Sequence, residues 1–182
     1  MHGRQIDSEL LDKQNGAEGR RVKDFTVCVL LKDDSILLRL NTTGVSAGKW
    51  CAPGGKVEEG ETKEACNARE VMEETGLGIG MDRMFYHGNV DSIFPDDDII
   101  YRIHVFSARE DIGRPSQKRE HAELRWFKRD SLPWDRMWKD YGLWLEQVYN
   151  KDRFSITVYY KSKKGDSIER SDVRLKGKSR AV

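Results

Sequence analysis

Residues 55–77 read Gly55-Lys56-Val57-Glu58-Glu59-Gly60-Glu61-Thr62-Lys63-Glu64-Ala65-Cys66-Asn67-Ala68-Arg69-Glu70-Val71-Met72-Glu73-Glu74-Thr75-Gly76-Leu77. Gly54, Gly55 and Gly60 predict a loop whose backbone approaches a ligand closely. Thr62 is placed to cap a helix N-terminus, and Gly76 to close that helix in the left-handed conformation. The stretch between them has no proline and is rich in good helix formers. At about 100° per residue it presents two unlike faces. Ala65, Ala68, Val71, Met72 and Thr75 form an arc suited to packing on a sheet, while Glu70, Glu73 and Glu74 lie opposite with Lys63 and Asn67 beside them.

Three carboxylates three and four residues apart weaken an isolated helix by a few tenths of a kcal/mol per pair. A hard divalent cation among the oxygens reverses that cost, and Mg²⁺ typically binds a few carboxylates together with substrate phosphates. Arg69 stands where it can pair with Glu73. A solvated acidic face is the ordinary reading of a Glu-rich helix. Here, however, the full pattern is Gly-x5-Glu-x7-Arg-Glu-U-x-Glu-Glu-x-Gly-U, with Val71 and Leu77 as the aliphatic positions U, and every fixed position is met. This stretch is similar to the signature of the Nudix (MutT-like) hydrolases.

The resemblance implies an α+β fold, an α/β/α sandwich around a mixed β-sheet. It also implies hydrolysis of a nucleoside diphosphate linked to another group, with Mg²⁺ or Mn²⁺. Carried over by position, Glu70, Glu73 and Glu74 are the metal-binding carboxylates, and the Gly54 carbonyl is the backbone ligand. Gly55, Glu61, Arg69 and Gly76 brace the loop and helix. The general base comes either from this helix, with Glu73 and its partner Arg69, or from a later loop. Glu120, six residues before Trp126, resembles the family's outlying glutamate; its other reading is a loop surface charge.

From Phe25 to about Leu175 the layout is also similar to the oxidised purine nucleoside triphosphatase subgroup of that family. Thr26 lies in the first strand, Lys49-Trp50 precedes the glycine pair, and Met137-Trp138-Lys139-Asp140 precedes an aromatic helix. The resemblance implies that Trp138 stacks on a base and that Asp140 binds the base edge, though packing in the core is an equal reading of Trp138. Two positions depart from the subgroup. Cys51 stands for an Asn and Tyr141 for the second of two paired acids. Both replacements offer fewer strong hydrogen bonds, so the contrast between oxidised and normal guanine is expected to be weak.

The 182 residues predict one domain able to bury about 70% of its unfolded surface. A net charge of +1 gives no overall attraction for nucleic acid or membrane. No run is apolar enough to span a bilayer, and the start lacks a signal peptide's apolar core. Cys28, Cys51 and Cys66 have no metal-site spacing and read as reduced thiols, so a cytoplasmic location is expected. The expected partner is a small nucleotide, with no nucleic acid and no membrane; the oligomeric state is left open.

Along the chain, residues 1–22 read as a flexible arm, 23–175 as the domain and 176–182 as a basic tail. Strands are expected at Phe25–Leu31, Ser35–Leu40, Arg83–Ile93, Ile99–Ala108 and Leu124–Phe127, with a final hairpin of Phe154–Lys161 and Ser167–Leu175 about Lys164-Gly165-Asp166. Loops are expected at 41–53 and 113–120, a solvated turn at Pro95–Asp98 and a second helix at Trp138–Tyr149. The leading function is a Mg²⁺-dependent nucleoside triphosphate pyrophosphohydrolase, acting on a purine nucleotide such as 8-oxo-dGTP. The alternatives are hydrolysis of ADP-ribose or a nucleotide sugar, and a non-catalytic nucleotide-binding module, which the intact set of glutamates disfavours.

Overall fold

A computed structural model describes residues 19–109, 115 and 123–176. The segment 1–18, the tail 177–182 and Glu120 lie outside the described residues. Strand β1 (Arg21–Lys32) starts four residues before the expected Phe25 and takes in Arg21 and Val22 of the expected arm. Its side chains alternate, as a strand buried on both faces requires. Cys28 and Leu30 enter one apolar cluster, and Val29 and Leu31 enter the other.

After β1 come β2 (Ser35–Leu40), the two-residue β3 (Trp50–Cys51), helix α1 (Lys63–Thr75), β4 (Phe85–Ile93) and β5 (Ile99–Arg109). Next are β6 (Leu124–Lys128), helix α2 (Tyr141–Tyr149), β7 (Arg153–Tyr160) and β8 (Ile168–Lys176). They form one eight-stranded mixed sheet in the order β3-β2-β1-β5-β4-β7-β8, with β6 pairing to β2. The β1–β5 and β4–β7 pairs are parallel, and the other strand pairs are antiparallel. Val71 of α1 packs with Cys28, Leu30, Leu37 and Phe106 on one side of the sheet. Tyr141, Trp144, Leu145 and Val148 of α2 pack with Val29, Leu38, Val105 and Ile156 on the other. This is the expected α/β/α sandwich.

Helix α1 runs from cap to cap as the sequence implies. Thr62 accepts a hydrogen bond from the Ala65 amide, and Gly76 closes the helix at φ 74° with its N–H on the Met72 carbonyl. Its buried face differs from the expected arc. Cys66, Asn67, Glu70, Val71, Glu74 and Thr75 are buried, while Met72 is 39% exposed. The helix is therefore turned so that two carboxylates face inward, each with donors waiting there.

Helix α2 begins at Tyr141, three residues later than expected. Trp138, Lys139 and Asp140 occupy a turn, and the Asp140 carboxylate accepts from the Trp144 indole and the Tyr160 hydroxyl in place of capping the helix. The loop before the glycines is more ordered than expected, holding a 3₁₀ turn at Gly44–Ser46 and strand β3.

Candidate active site

The glycine loop is stitched to the free side of β1. Thr26 N–H donates to the Gly55 carbonyl at 2.8 Å, Cys28 N–H to the Pro53 carbonyl at 2.8 Å, and Val57 N–H to the Asp24 carbonyl at 3.0 Å. The approach is close enough to demand glycine at position 54 and to crowd any side chain at position 55. A Cβ on Gly54 would stand 2.0 Å from the Thr26 carbonyl oxygen, and one on Gly55 2.3 Å from Glu70 Oε1. Loop, strand and helix thus meet at one point.

Arg69 binds that junction together. It forks onto Glu61 at 2.8 and 2.9 Å, reaches Glu70 Oε1 at 2.7 Å and donates to the Lys56 carbonyl at 3.3 Å. The Glu73 carboxylate lies 3.7 Å away, so the expected Arg69–Glu73 pair is present but secondary. The Arg69 hydrogen bonds hold the Glu61 carboxyl down at about 2. Glu74 is 2% exposed, and its two oxygens accept from Arg39 Nη2 at 3.0 Å and from the Gly54 amide at 3.0 Å.

Glu70, Glu73 and Glu74 supply hard oxygen donors of the kind Mg²⁺ and Mn²⁺ take. They do not form a ready cage, because no group of three His, Cys, Asp or Glu side chains among the described residues is arranged to hold an ion. Two of them are turned onto Arg69, Arg39 and the Gly54 amide. Mg²⁺ sites commonly use one or two carboxylates with substrate phosphates and water, so the donor set fits such an ion.

Beside the glycine loop lies a cavity of about 320 Å³, a size suited to a small-molecule ligand. Gly54, Gly55 and Arg39 form its wall toward the carboxylates, and Phe25, Phe94, Tyr101, Trp138, Tyr141 and Tyr160 make it aromatic. Trp138 stands at the wall with Nε1 donating to Ser46 Oγ at 3.1 Å. Its indole lies edge-on to Phe94 and Tyr160. Gly165 of the β7–β8 turn backs the ring so tightly that a Cβ there would lie 1.7 Å from it. Trp138 is thus both packed and in the cavity wall, so its two sequence readings are compatible.

Thr26, Cys51, Asp140 and Tyr141 also line the cavity. Asp140 is buried and receives Tyr160 OH at 2.8 Å and Trp144 Nε1 at 2.9 Å. Burial pushes its carboxyl up, and those two donors oppose the rise. Tyr141 OH accepts the Ala52 amide at 2.9 Å. Burial raises the Cys51 thiol to about 12, so it is neutral at physiological pH.

The structure therefore brings Thr26, Gly54, Gly55, Cys51, Trp138, Asp140 and Tyr141 to one cavity and sets the carboxylate helix beside it. Sequence reasoning missed Arg39, Phe94, Tyr101 and Tyr160. Arg39 had a signal, as the one charge within the apolar strand Ser35–Leu40. The expected solvated turn is less solvated than supposed. Asp97 lines the cavity, accepts Tyr101 OH at 3.2 Å and lies 3.8 Å from Lys163 Nζ.

A sandwich carrying a glycine loop, an Arg-braced carboxylate helix and an adjoining aromatic cavity has the architecture of a phosphate-processing nucleotide enzyme. Residues 21–148 match the NUDIX domain, and the chain belongs to the Nudix hydrolase family. It is 32% identical over 130 residues to the oxidized purine nucleoside triphosphate hydrolase of Mus musculus, covering 71% of this chain and 81% of that protein. Identity to the protein of the same description from Danio rerio is 34% over 132 residues, 72% of this chain and 83% of that one. The fold is similar to a MutT protein from Bacillus halodurans (TM-score 0.69, 24% identity, 83% of this chain and 97% of that). It also resembles a MutT Nudix hydrolase from Burkholderia pseudomallei (TM-score 0.63, 28% identity, 70% of this chain and 98% of that). No helix among the described residues is long and apolar enough to cross a membrane.

Proposed function

We propose that this protein hydrolyses a purine nucleoside triphosphate to the monophosphate and pyrophosphate, with Mg²⁺ or Mn²⁺. The observation that carries this reading is the continuity of the aromatic cavity with Gly54 and Gly55. A base held by Trp138 directs its phosphate chain along the glycine loop toward the carboxylates. The relatives named as oxidized purine nucleoside triphosphate hydrolases support the same substrate class.

Glu70, Glu73 and Glu74, with the Gly54 carbonyl, would hold the ion, which when bound neutralises phosphate charge and acidifies water. Arg69 and Glu61 fix the distance between loop and helix, so the phosphate chain meets a preset surface. Glu73 is the most exposed of the three carboxylates, at 41%, which supports its role as the acceptor of a proton from an attacking water. Glu120, outside the described residues, is the other candidate base. Asp140 holds Trp144 and Tyr160 in place around the base.

The test is a substrate panel with Mg²⁺, separating pyrophosphate plus monophosphate from other products. Turnover of dGTP, dATP or 8-oxo-dGTP with pyrophosphate release is expected. Cleavage of ADP-ribose or a nucleotide sugar, with triphosphates untouched, would replace the substrate assignment and leave the hydrolase in place.

A further inference from the structure

We propose that Arg39 is a ligand for the substrate's phosphate chain, its guanidinium shared between Glu74 and a phosphate oxygen. The idea rests on the reading of the cavity as a nucleotide site, but it needs only a phosphate chain and not a particular base.

Arg39 projects from β2 at the register position facing Cys51 of β3. Its side chain is 18% exposed and lines the cavity between Cys51 and the glycine loop. One end of the guanidinium, Nη2, lies 3.0 Å from Glu74 Oε1. Its Nε is buried and has no hydrogen-bond partner among the described residues. An unmade buried donor is costly, more so on a charged group. Arginine offers five N–H donors in a rigid fork that matches the oxygens of carboxylates and phosphates. Here one carboxylate engages part of the fork, and the remainder stands at the wall where cavity and carboxylate helix join.

The missing acceptor has a definable chemistry. Cys51, Asn41, Asp140 and the glycines share this cavity lining with Arg39; the Cys51 thiol, which burial keeps neutral, accepts weakly, and the Asp140 carboxylate is taken up by Trp144 and Tyr160. An anionic oxygen passing along the wall is the partner we assign to the part of the guanidinium that remains exposed, with Nε closed to solvent behind it. Glu74 keeps the guanidinium from swinging away, so it is presented in place and not recruited from solvent. In β2 it is the only charged residue, Ile36, Leu37 and Leu38 around it being buried.

The proposal is tested with Arg39→Gln and Arg39→Lys, checked for folding by circular dichroism and thermal melting. Binding of dGTP, inorganic tripolyphosphate and deoxyguanosine is measured by calorimetry in Ca²⁺, alongside Mn²⁺ binding without nucleotide. Arg39→Gln is expected to weaken dGTP and tripolyphosphate about 10- to 100-fold, leaving deoxyguanosine unchanged. Arg39→Lys, a point charge without the fork, should recover part of that loss. If the Gln variant melts too early to assay, the Lys variant carries the comparison: phosphate affinity equal to the parent's overturns the proposal. An equal loss for deoxyguanosine and dGTP would make Arg39 a wall of the base pocket, which overturns it. Mn²⁺ affinity reduced in proportion to the phosphate loss would make it a positioning residue for Glu74, which also overturns it. If the parent cleaves ADP-ribose in place of triphosphates, the triphosphate assignment fails separately, and ADP-ribose replaces dGTP as the phosphate-bearing probe.

Discussion

Adding one methyl group at Gly55 and, separately, at Gly54 divides the site's chemistry from its fold. At Gly55 the new Cβ would lie 2.3 Å from Glu70 Oε1 and 2.4 Å from its carboxyl carbon. The obstacle is a side chain, so the loop can stay and Glu70 must move. Moving it breaks the 2.7 Å bond to Arg69 Nη1. A charged hydrogen bond of this kind contributes about 1.5–3 kcal/mol when buried. Arg69 is 27% exposed, so solvent screening reduces this to about 1–2 kcal/mol, or roughly 2–8 °C in Tm for a chain of this size. With Glu70 in its proposed role as a metal ligand, disturbing it should weaken Mn²⁺ binding about 10- to 100-fold, with a matching loss of turnover. At Gly54 the Cβ would meet the main chain of β1, at 2.0 Å from the Thr26 oxygen and 2.7 Å from Val27 Cα. Nothing there can rotate away, and relief means parting the loop from β1 with loss of two 2.8 Å backbone bonds. Gly54→Ala should therefore cost more than about 3 kcal/mol. Thermal melts, Mn²⁺ titration and pyrophosphate release on both variants decide the matter. If Gly55→Ala keeps the parent's Tm and turnover, or if Gly54→Ala is the milder change, the close-approach reasoning is refuted.

Activity should vanish in EDTA and collapse in Glu73→Gln or Glu74→Gln; turnover surviving in chelator or in both variants would remove the metal assignment. Glu120→Gln should lower kcat by about 10²–10⁴-fold if Glu120 is the base, whereas a change confined to KM would make it a surface charge. Acid should destabilise the fold in two stages. His87, buried and depressed mainly by desolvation, resists charging, so stability starts to fall as pH drops through its ordinary 6.5. Glu61, held at about 2, contributes stability that is full above its ordinary 4.5 and is lost as pH falls toward 2. Urea midpoints across pH 8 to 3 test this, and a Glu61→Gln profile parallel to the parent's below pH 4.5 would contradict the second stage. Cys51→Asn should raise the 8-oxo-dGTP over dGTP ratio of kcat/KM by about fivefold, the effect of one hydrogen bond near 1 kcal/mol. A parent that already prefers the oxidised base by orders of magnitude would contradict that reading of Cys51.

Local signals marked out helix α1 well, since Thr62 and Gly76 act through their own backbone and immediate neighbours. The same stretch misled about which face is buried. Hydrophobicity put Met72 inside and Glu70 and Glu74 outside, but burial of a carboxylate depends on the donors that meet it. Those donors are the Arg39 guanidinium and the Gly54 amide for Glu74, and Arg69 for Glu70. Arg39 and Gly54 lie 35 and 20 residues from Glu74 in sequence, beyond any periodicity. Helix α2 starts later than its apolar spacing predicts for a related reason. Asp140 could have capped a helix, but Trp144 and Tyr160 hold its carboxylate, and Tyr160 arrives from a strand twenty residues later.

Cys51 and Tyr141, the two departures from the triphosphatase pattern, are linked in space as well as in kind. Tyr141 OH accepts the amide of Ala52, the residue next to Cys51, so the helix and β3 are joined at the cavity wall. A second acid at position 141 would stand beside buried Asp140, whose carboxyl burial already pushes up. Two carboxyls so placed cannot both ionise cheaply. Tyrosine removes that conflict: its neutral hydroxyl accepts the Ala52 amide and keeps one O–H to donate. Burial raises its phenol well above the ordinary value, so the group stays neutral across the physiological range. This end of the pocket then carries one buried carboxyl, that of Asp140, in place of two adjacent ones. A site selects between close analogues by leaving its own buried polar groups unpaired with the wrong one. Asp140 already has Trp144 and Tyr160, the Cys51 thiol bonds weakly, and Tyr141, which accepts the Ala52 amide, has only its one O–H left to offer. On the proposed function, stacking and shape are then expected to carry most of the recognition of the base, and an oxidised base is expected to gain little over a normal one.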